Sequence, residues 1–182
     1  EKILASAPVV PVVVIEKLED AAPLARALYN GGLKALEITL RTPIAAEAVK
    51  LMKAEVPEAY VGTGTVVDKA SFNASVEAGA DFMVSPGVSD ELLALAKEST
   101  IPFLPGAATP SEVMNLAAHG FKFLKFFPAE AAGGAAMLKS IGGPLPDITF
   151  CPTGGISLAT APAYLALNSF IIVGGTWMLD QQ

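Results

Sequence analysis

The stretch ALEITLRTPIAAEAVKLMKAEVPEAYVGTG, residues 35–64, decides the fold. Two short apolar runs, 35–39 and 60–64, flank a segment, 44–56, whose apolar residues recur at helical spacing. Pro43 stands at the start of that helix, where a missing amide proton does no harm. The unit reads strand, helix, strand, and the alternation continues in both directions. Further strands are predicted at 9–15, 82–85, 102–106, 123–126, 147–151 and 170–174, and further helices at 18–30, 69–78, 90–99, 111–119, 134–141 and 158–167. Gly31-Gly32, Gly79 and Gly120 mark helix ends, while Asp68 and Pro110 mark helix starts. Eight strands alternating strictly with helices fit a compact α/β architecture, the (β/α)8 or TIM barrel. An open doubly wound sheet fits less well, because it has fewer strands and a glycine-rich first turn that this chain lacks. The expectation is one barrel domain over residues 1–182, with the final helix missing because the sequence stops soon after Trp177.

Composition agrees with a sheet covered on both faces. The chain is 52% hydrophobic and only 16% charged, with a mean hydropathy of +0.51, as buried parallel strands require. Twelve basic against eighteen acidic residues give a net charge of -6 with no basic cluster, so nucleic acid is not an expected partner. Cys151 is the only cysteine, which excludes an intrachain disulfide and fits a reducing, cytoplasmic setting. No apolar stretch approaches a membrane span, so no membrane partner is expected. The chain begins at Glu1, so an upstream start and a removed targeting segment stay open.

A barrel places its chemistry at the C-terminal ends of its strands and in the loops that follow them. In 123–126 and onward, Phe123, Lys125 and Phe127 share one face while Leu124 and Phe126 share the other, so Lys125 points inward. Glu37 shares the inward face of 35–39 with Ala35 and Thr39. An ammonium buried without a partner tends to lose its proton and become an amine nucleophile, which points to imine chemistry. The plainer readings are a lysine that snorkels to water or a buried Lys125–Glu37 ion pair. Arg41, just past 35–39, offers a rigid fork of donors for a carboxylate, or else satisfies a helix end. Thr65 closes Gly62-Thr63-Gly64-Thr65, where a ligand can approach the backbone, or else caps a helix. Two glycine pairs, Gly154-Gly155 after the seventh strand and Gly174-Gly175 after the eighth, sit where barrels commonly bind phosphate, and imply a phosphorylated substrate. His119 and Cys151 read as structural, and Trp177 as packing near the barrel mouth.

Six ordered segments carry a resemblance. Leu36-Glu37-Ile38-Thr39-Leu40-Arg41-Thr42, Val61-Gly62-Thr63-Gly64-Thr65-Val66, Ser85-Pro86-Gly87, Lys125-Phe126-Phe127-Pro128-Ala129-Glu130, Phe150-Cys151-Pro152-Thr153-Gly154-Gly155-Ile156 and Gly174-Gly175-Thr176-Trp177 closely resemble the 2-keto-3-deoxy-6-phosphogluconate (KDPG) and 4-hydroxy-2-oxoglutarate (KHG) aldolases. These are class I aldolases; the former act in the Entner-Doudoroff pathway. The resemblance implies Lys125 as the Schiff-base lysine and Glu37 as the general acid/base. It implies Arg41 and Thr65 as binders of the substrate carboxylate, Pro86 as pocket wall, and Thr153, Gly154, Gly155, Gly175 and Thr176 as binders of phosphate. It further implies a homotrimer acting on a small phosphorylated keto acid, with no metal and no cofactor. The chain departs from the resemblance at its ends, which lack the longer N-terminal helix and the closing helix of that family. A non-catalytic or engineered scaffold subunit on the same barrel, and a phosphate-binding isomerase that needs no reactive lysine, are the competing readings.

Overall fold

The computed structural model describes Ile3, residues 9–167 and residues 173–179. Through these run β1 (Val9–Val13), α1 (Ala21–Asn30), β2 (Ala35–Thr39), α2 (Ala45–Glu55), β3 (Tyr60–Gly64), α3 (Lys69–Glu77), β4 (Met83–Val84) and α4 (Asp90–Glu98). They are followed by β5 (Phe103–Leu104), β6 (Gly106–Ala107), α5 (Pro110–Ala118), β7 (Phe123–Phe126), α6 (Gly134–Gly142), β8 (Thr149–Pro152), α7 (Ala161–Leu165) and β9 (Val173–Gly175). Neighbouring strands pair in parallel, in the orders β5-β4-β3-β2-β1-β9 and β6-β7-β8. The fold is therefore α/β with a curled parallel sheet. At one seam only Pro105 separates β5 from β6, and at the other a parallel bridge joins Thr153 to Gly174.

Three sequence expectations change. The single strand expected at 102–106 is divided into β5 and β6, because Pro105 has no amide proton to give the ladder. Its carbonyl still accepts from the Lys125 amide at 2.8 Å. The helix expected at 158–167 contracts to α7, since Ser157 and Thr160 bond each other's amides through their hydroxyls just ahead of it, at 3.0 and 3.3 Å. Pro43 lies in a turn before α2 rather than in its first residues, and the Ala45 amide donates to the Thr42 carbonyl at 3.2 Å. Of the strand expected at 170–174, residues 170–172 fall outside the described residues.

Side-chain alternation divides the interior into two layers. Leu36, Ile38 and Val61 from β2 and β3 face outward against Ala45, Ala48, Val49 and Met52 of α2 and Ala21, Ala25 and Leu28 of α1. The small alanines let these two helices sit close to the sheet. On the other side Leu124, Phe126, Phe150 and Val173 meet Val113, Leu116, Leu138, Ile141 and Tyr164 from α5, α6 and α7. Facing inward are Val10, Ala35, Phe82, Val84 and Cys151. Each buried Leu, Ile, Phe or Met contributes about 1.5–3 kcal/mol by leaving water. An apolar cavity of about 110 Å³, lined by residues that include Val10, Phe82, Leu104, Phe123 and Cys151, reaches Glu37 from the N-terminal ends of the strands. The polar groups converge at the opposite end.

Candidate active site

Lys125 on β7 and Glu37 on β2 stand 88 residues apart in sequence and meet across the inside of the sheet. Lys125 Nζ donates to Glu37 Oε1 at 3.2 Å, and the two residues are only 5% and 4% exposed. The lysine does not snorkel. Its ammonium end also lies 5.3 Å from the centre of the Phe127 ring, within cation–π range. The inward face read from strand alternation thus holds for both residues, and the ion pair is real.

Gly64 makes room for the pair. A Cβ at that position would overlap the Glu37 carboxylate, so the end of β3 must be bare for the acid to occupy its place. The next residue, Thr65, has φ of 62°, a left-handed conformation that β-branched residues rarely adopt. Such strain is of order 1–3 kcal/mol and persists only where the surroundings enforce it. It directs Thr65 Oγ1 to accept from Arg41 Nε at 3.2 Å. Asp68 is the residue that caps α3, in a reciprocal capping box with Ser71, so Thr65 is not a helix cap. Arg41, exposed at the strand end, is accordingly tied to Thr65 rather than to a helix terminus. Thr42 Oγ1 donates to the Ile15 carbonyl at 2.8 Å, fixing the loop that carries Arg41 against the one after β1.

The first of the glycine turns meets Phe127 as well. Gly154 and Gly155 have φ of 106° and 76°, which only glycine tolerates easily. A Cβ on Gly154 would come 3.2 Å from the Phe127 ring, so the same aromatic ring neighbours both the lysine and this turn. Among the described residues, the amides of Gly154 and Gly155 have no protein acceptor. Thr153 is 5% exposed, with its hydroxyl 3.5 Å from the Cys151 carbonyl and packed against Gly174. Gly175 lies beneath the Trp177 ring and Thr176 is exposed. Pro86, half-buried after β4, shares a cavity of about 140 Å³ with Gly87, Ala107, Glu112, Asn115 and Phe127.

Two residues read as structural are so. His119 ends α5 and its Nδ1 lies 2.8 Å from the Asn115 carbonyl, exposed and away from the pair. Cys151 is directly across from Lys125 in the β7–β8 register. Burial pushes its thiol up to about 12, against an opposing influence of Lys125, so it stays protonated and packs as a small apolar group. Sequence reading assigned no role to Phe127, Glu130 or Tyr164, and took Gly64 as room for a ligand, whereas the structure uses it as room for Glu37. Phe127 was signalled by sharing the face of Lys125; Tyr164 carried no separate signal, because its importance lies in a contact across the fold.

A buried lysine paired with a buried carboxylate inside a curled parallel sheet is the side-chain set that imine chemistry on a carbonyl compound requires. The comparisons with known proteins agree. The family model described as "Aldolase: KDPG and KHG aldolase" matches residues 1–182. The KHG/KDPG aldolase of Escherichia coli (strain K12) is 50% identical over 179 residues, 98% of this chain and 84% of that protein. The 2-dehydro-3-deoxy-phosphogluconate aldolase of Dickeya dadantii (strain 3937) is 51% identical over the same shares. Among solved structures, the KDPG aldolase of Legionella pneumophila, with pyruvate captured at low pH as a covalent carbinolamine intermediate, is 47% identical and superposes with a TM-score of 0.95. That match covers 98% of this chain and 87% of the other. The chain belongs to the KDPG and KHG aldolase family and is a carbon–carbon lyase.

Proposed function

We propose that this protein cleaves 2-keto-3-deoxy-6-phosphogluconate to pyruvate and glyceraldehyde 3-phosphate through an imine on Lys125, with Glu37 moving the protons. The observation that carries this reading is the 3.2 Å approach of Lys125 Nζ to Glu37 Oε1 inside the sheet. Support comes from the relative that holds pyruvate as a covalent carbinolamine.

The cycle begins with a proton passing from Lys125 to Glu37, which leaves the amine lone pair free to attack the C2 ketone. Glu37 hands that proton to the carbinolamine hydroxyl, which leaves as water and gives a protonated imine. Glu37, again ionised, takes the proton of the C4 hydroxyl, the C3–C4 bond breaks, and its electron pair flows into the imine to give an enamine. Glyceraldehyde 3-phosphate departs. Glu37 returns its proton to C3, and water hydrolyses the protonated imine to pyruvate and the lysine ammonium, which again faces ionised Glu37. Arg41, held by Thr65, grips the pyruvyl carboxylate; Pro86 and Phe127 wall the pocket. The free amides of Gly154 and Gly155, together with Thr153, Gly175 and Thr176, receive the phosphate. The same machinery serves 4-hydroxy-2-oxoglutarate, yielding pyruvate and glyoxylate, with the glycine turns unused.

The wider reading is of one domain closed as a (β/α)8 barrel, supported by the short Pro105 seam and the Thr153–Gly174 bridge. We place it as a homotrimer in the cytoplasm; no helix among the described residues is long and apolar enough to cross a membrane. Steady-state assays of pyruvate release from the phosphorylated substrate test the reaction. Release at an enzymatic rate by the wild type and none by Lys125→Ala is expected; an active Lys125→Ala protein would refute the mechanism.

A further inference from the structure

Tyr164 and Glu130 form a contact that the reaction does not use. Tyr164, on α7, is 1% exposed and packed within the apolar layer behind β7 and β8, yet its hydroxyl donates to the Glu130 carboxylate. Burial, then Glu130 itself, pushes the phenol's pKa upward, so the hydroxyl remains a donor across the working range of pH. A phenol bonded to a carboxylate is a charge-assisted pair, stronger than an ordinary hydrogen bond. If Glu130 loses its carboxylate, the buried Tyr164 hydroxyl loses its charged acceptor, whereas Glu130, exposed to water, stays solvated without the phenol.

The chain around Glu130 gives this pair its leverage. The Glu130 amide donates to the Gly154 carbonyl at 3.0 Å, and the Ala129 amide donates to the Thr153 carbonyl at 2.8 Å. A Cβ added at Gly155 would come 2.9 Å from Glu130 Cβ, so that glycine rests on the Glu130 side chain. On the other flank, a Cβ at Gly134 would come 3.6 Å from the Tyr164 hydroxyl, where the turn feeds α6. The turn that follows the lysine strand is thus sewn to the turn carrying the free amides. Drawing the carbonyls of residues 153 and 154 toward Ala129 and Glu130 fixes the peptide planes of the same turn.

We propose that Tyr164 and Glu130 are positioning residues for the phosphate end of the substrate. They hold the Gly154-Gly155 turn in its anion-receiving conformation without touching the substrate. This rests on the reading of that turn as the phosphate subsite, and it deepens that reading by naming what sets its affinity.

The test compares Tyr164→Phe, Glu130→Gln and the double variant with wild type on two substrates, 2-keto-3-deoxy-6-phosphogluconate and 4-hydroxy-2-oxoglutarate. Tyr164→Phe keeps the ring and Glu130→Gln keeps the shape, so both preserve the packing. Each is expected to raise KM for the phosphorylated substrate about tenfold with little change in kcat. The KM for 4-hydroxy-2-oxoglutarate and the rate of borohydride trapping with pyruvate should stay at wild-type values. The double variant should be no worse than the weaker single one, because both lose the same link. Equal losses on both substrates, an unchanged KM, or additive losses would each overturn the proposal. Inhibition of the wild type by inorganic phosphate tells the two failures apart. If phosphate competes with the phosphorylated substrate but the variants leave its inhibition constant unchanged, the positioning role alone falls. If phosphate does not compete in the wild type, the subsite reading falls as well.

Discussion

Glu37 depends on the bareness of Gly64 as much as on its own strand, because a methyl group there would occupy the space of the carboxylate. Gly64→Ala should therefore displace the acid from Lys125 and lower kcat, with a smaller effect on KM, as measured by steady-state kinetics. Glu37→Gln retains the shape but not the carboxylate proposed to move the protons. Turnover should fall by about 10²- to 10⁴-fold while pyruvate can still be trapped on the lysine by borohydride; normal turnover in this variant would remove Glu37 from its role. Lys125→Ala leaves the Glu37 carboxylate, 4% exposed, without its partner, and stability should drop by about 3–5 kcal/mol in denaturant titration. At this scale the sequence was legible where period-two alternation decides. Glu37 and Lys125 were placed inward because their neighbours, Leu36, Ile38, Leu124 and Phe126, needed the outward layer. Gly64 was not legible as a spacer, since what it avoids is a side chain 27 residues away whose position depends on pairing of β2 with β3.

Among the elements, α5, like α3, begins with a reciprocal capping box. The Thr109 hydroxyl accepts from the Glu112 amide at 3.3 Å, and the Glu112 carboxylate accepts from the Ala108 and Thr109 amides at 2.8 and 2.9 Å. Pro110 occupies the first turn. Thr109→Ala should cost about 1 kcal/mol, a fall of about 2–4 °C in Tm for a chain of this size. The Ala108 amide, first, and then Thr109 hold the Glu112 pKa below its ordinary value of 4.5, against the effect of burial. A lowered folded-state pKa means stabilisation that is present above the ordinary carboxylate range and is lost as pH falls through the folded value. Glu112→Gln should therefore destabilise the protein at neutral pH and flatten the acid limb of its stability curve below about pH 4.5. The caps were readable because they are local: Asp68, Pro110 and the glycine stops act within a few residues of themselves. The division at Pro105 was less readable, because a five-residue apolar run is a strand by pattern and its broken ladder emerges only when β7 lies alongside.

Across the whole molecule, two distant parts of the sheet must be brought together before any chemistry exists. β2 carries Glu37, β7 carries Lys125, and the turns after β8 and β9 carry the amides proposed to receive the anion, with the Thr153–Gly174 bridge joining the last two. Trp177, the only tryptophan, covers Gly175 and so reports on that end of the site. Its emission should change when glyceraldehyde 3-phosphate binds and stay constant with pyruvate alone. The alternation that set the order of strands was visible throughout the sequence. The Tyr164–Glu130 link was not, because a tyrosine at an apolar helix position reads as packing until its hydroxyl is seen beside a carboxylate 34 residues earlier. The most direct measurement is borohydride reduction in the presence of pyruvate, followed by peptide mapping of the modified residue by mass spectrometry. One reduced pyruvate adduct on Lys125 is expected; no adduct, or an adduct confined to another lysine, would contradict the central claim that this buried amine forms the imine.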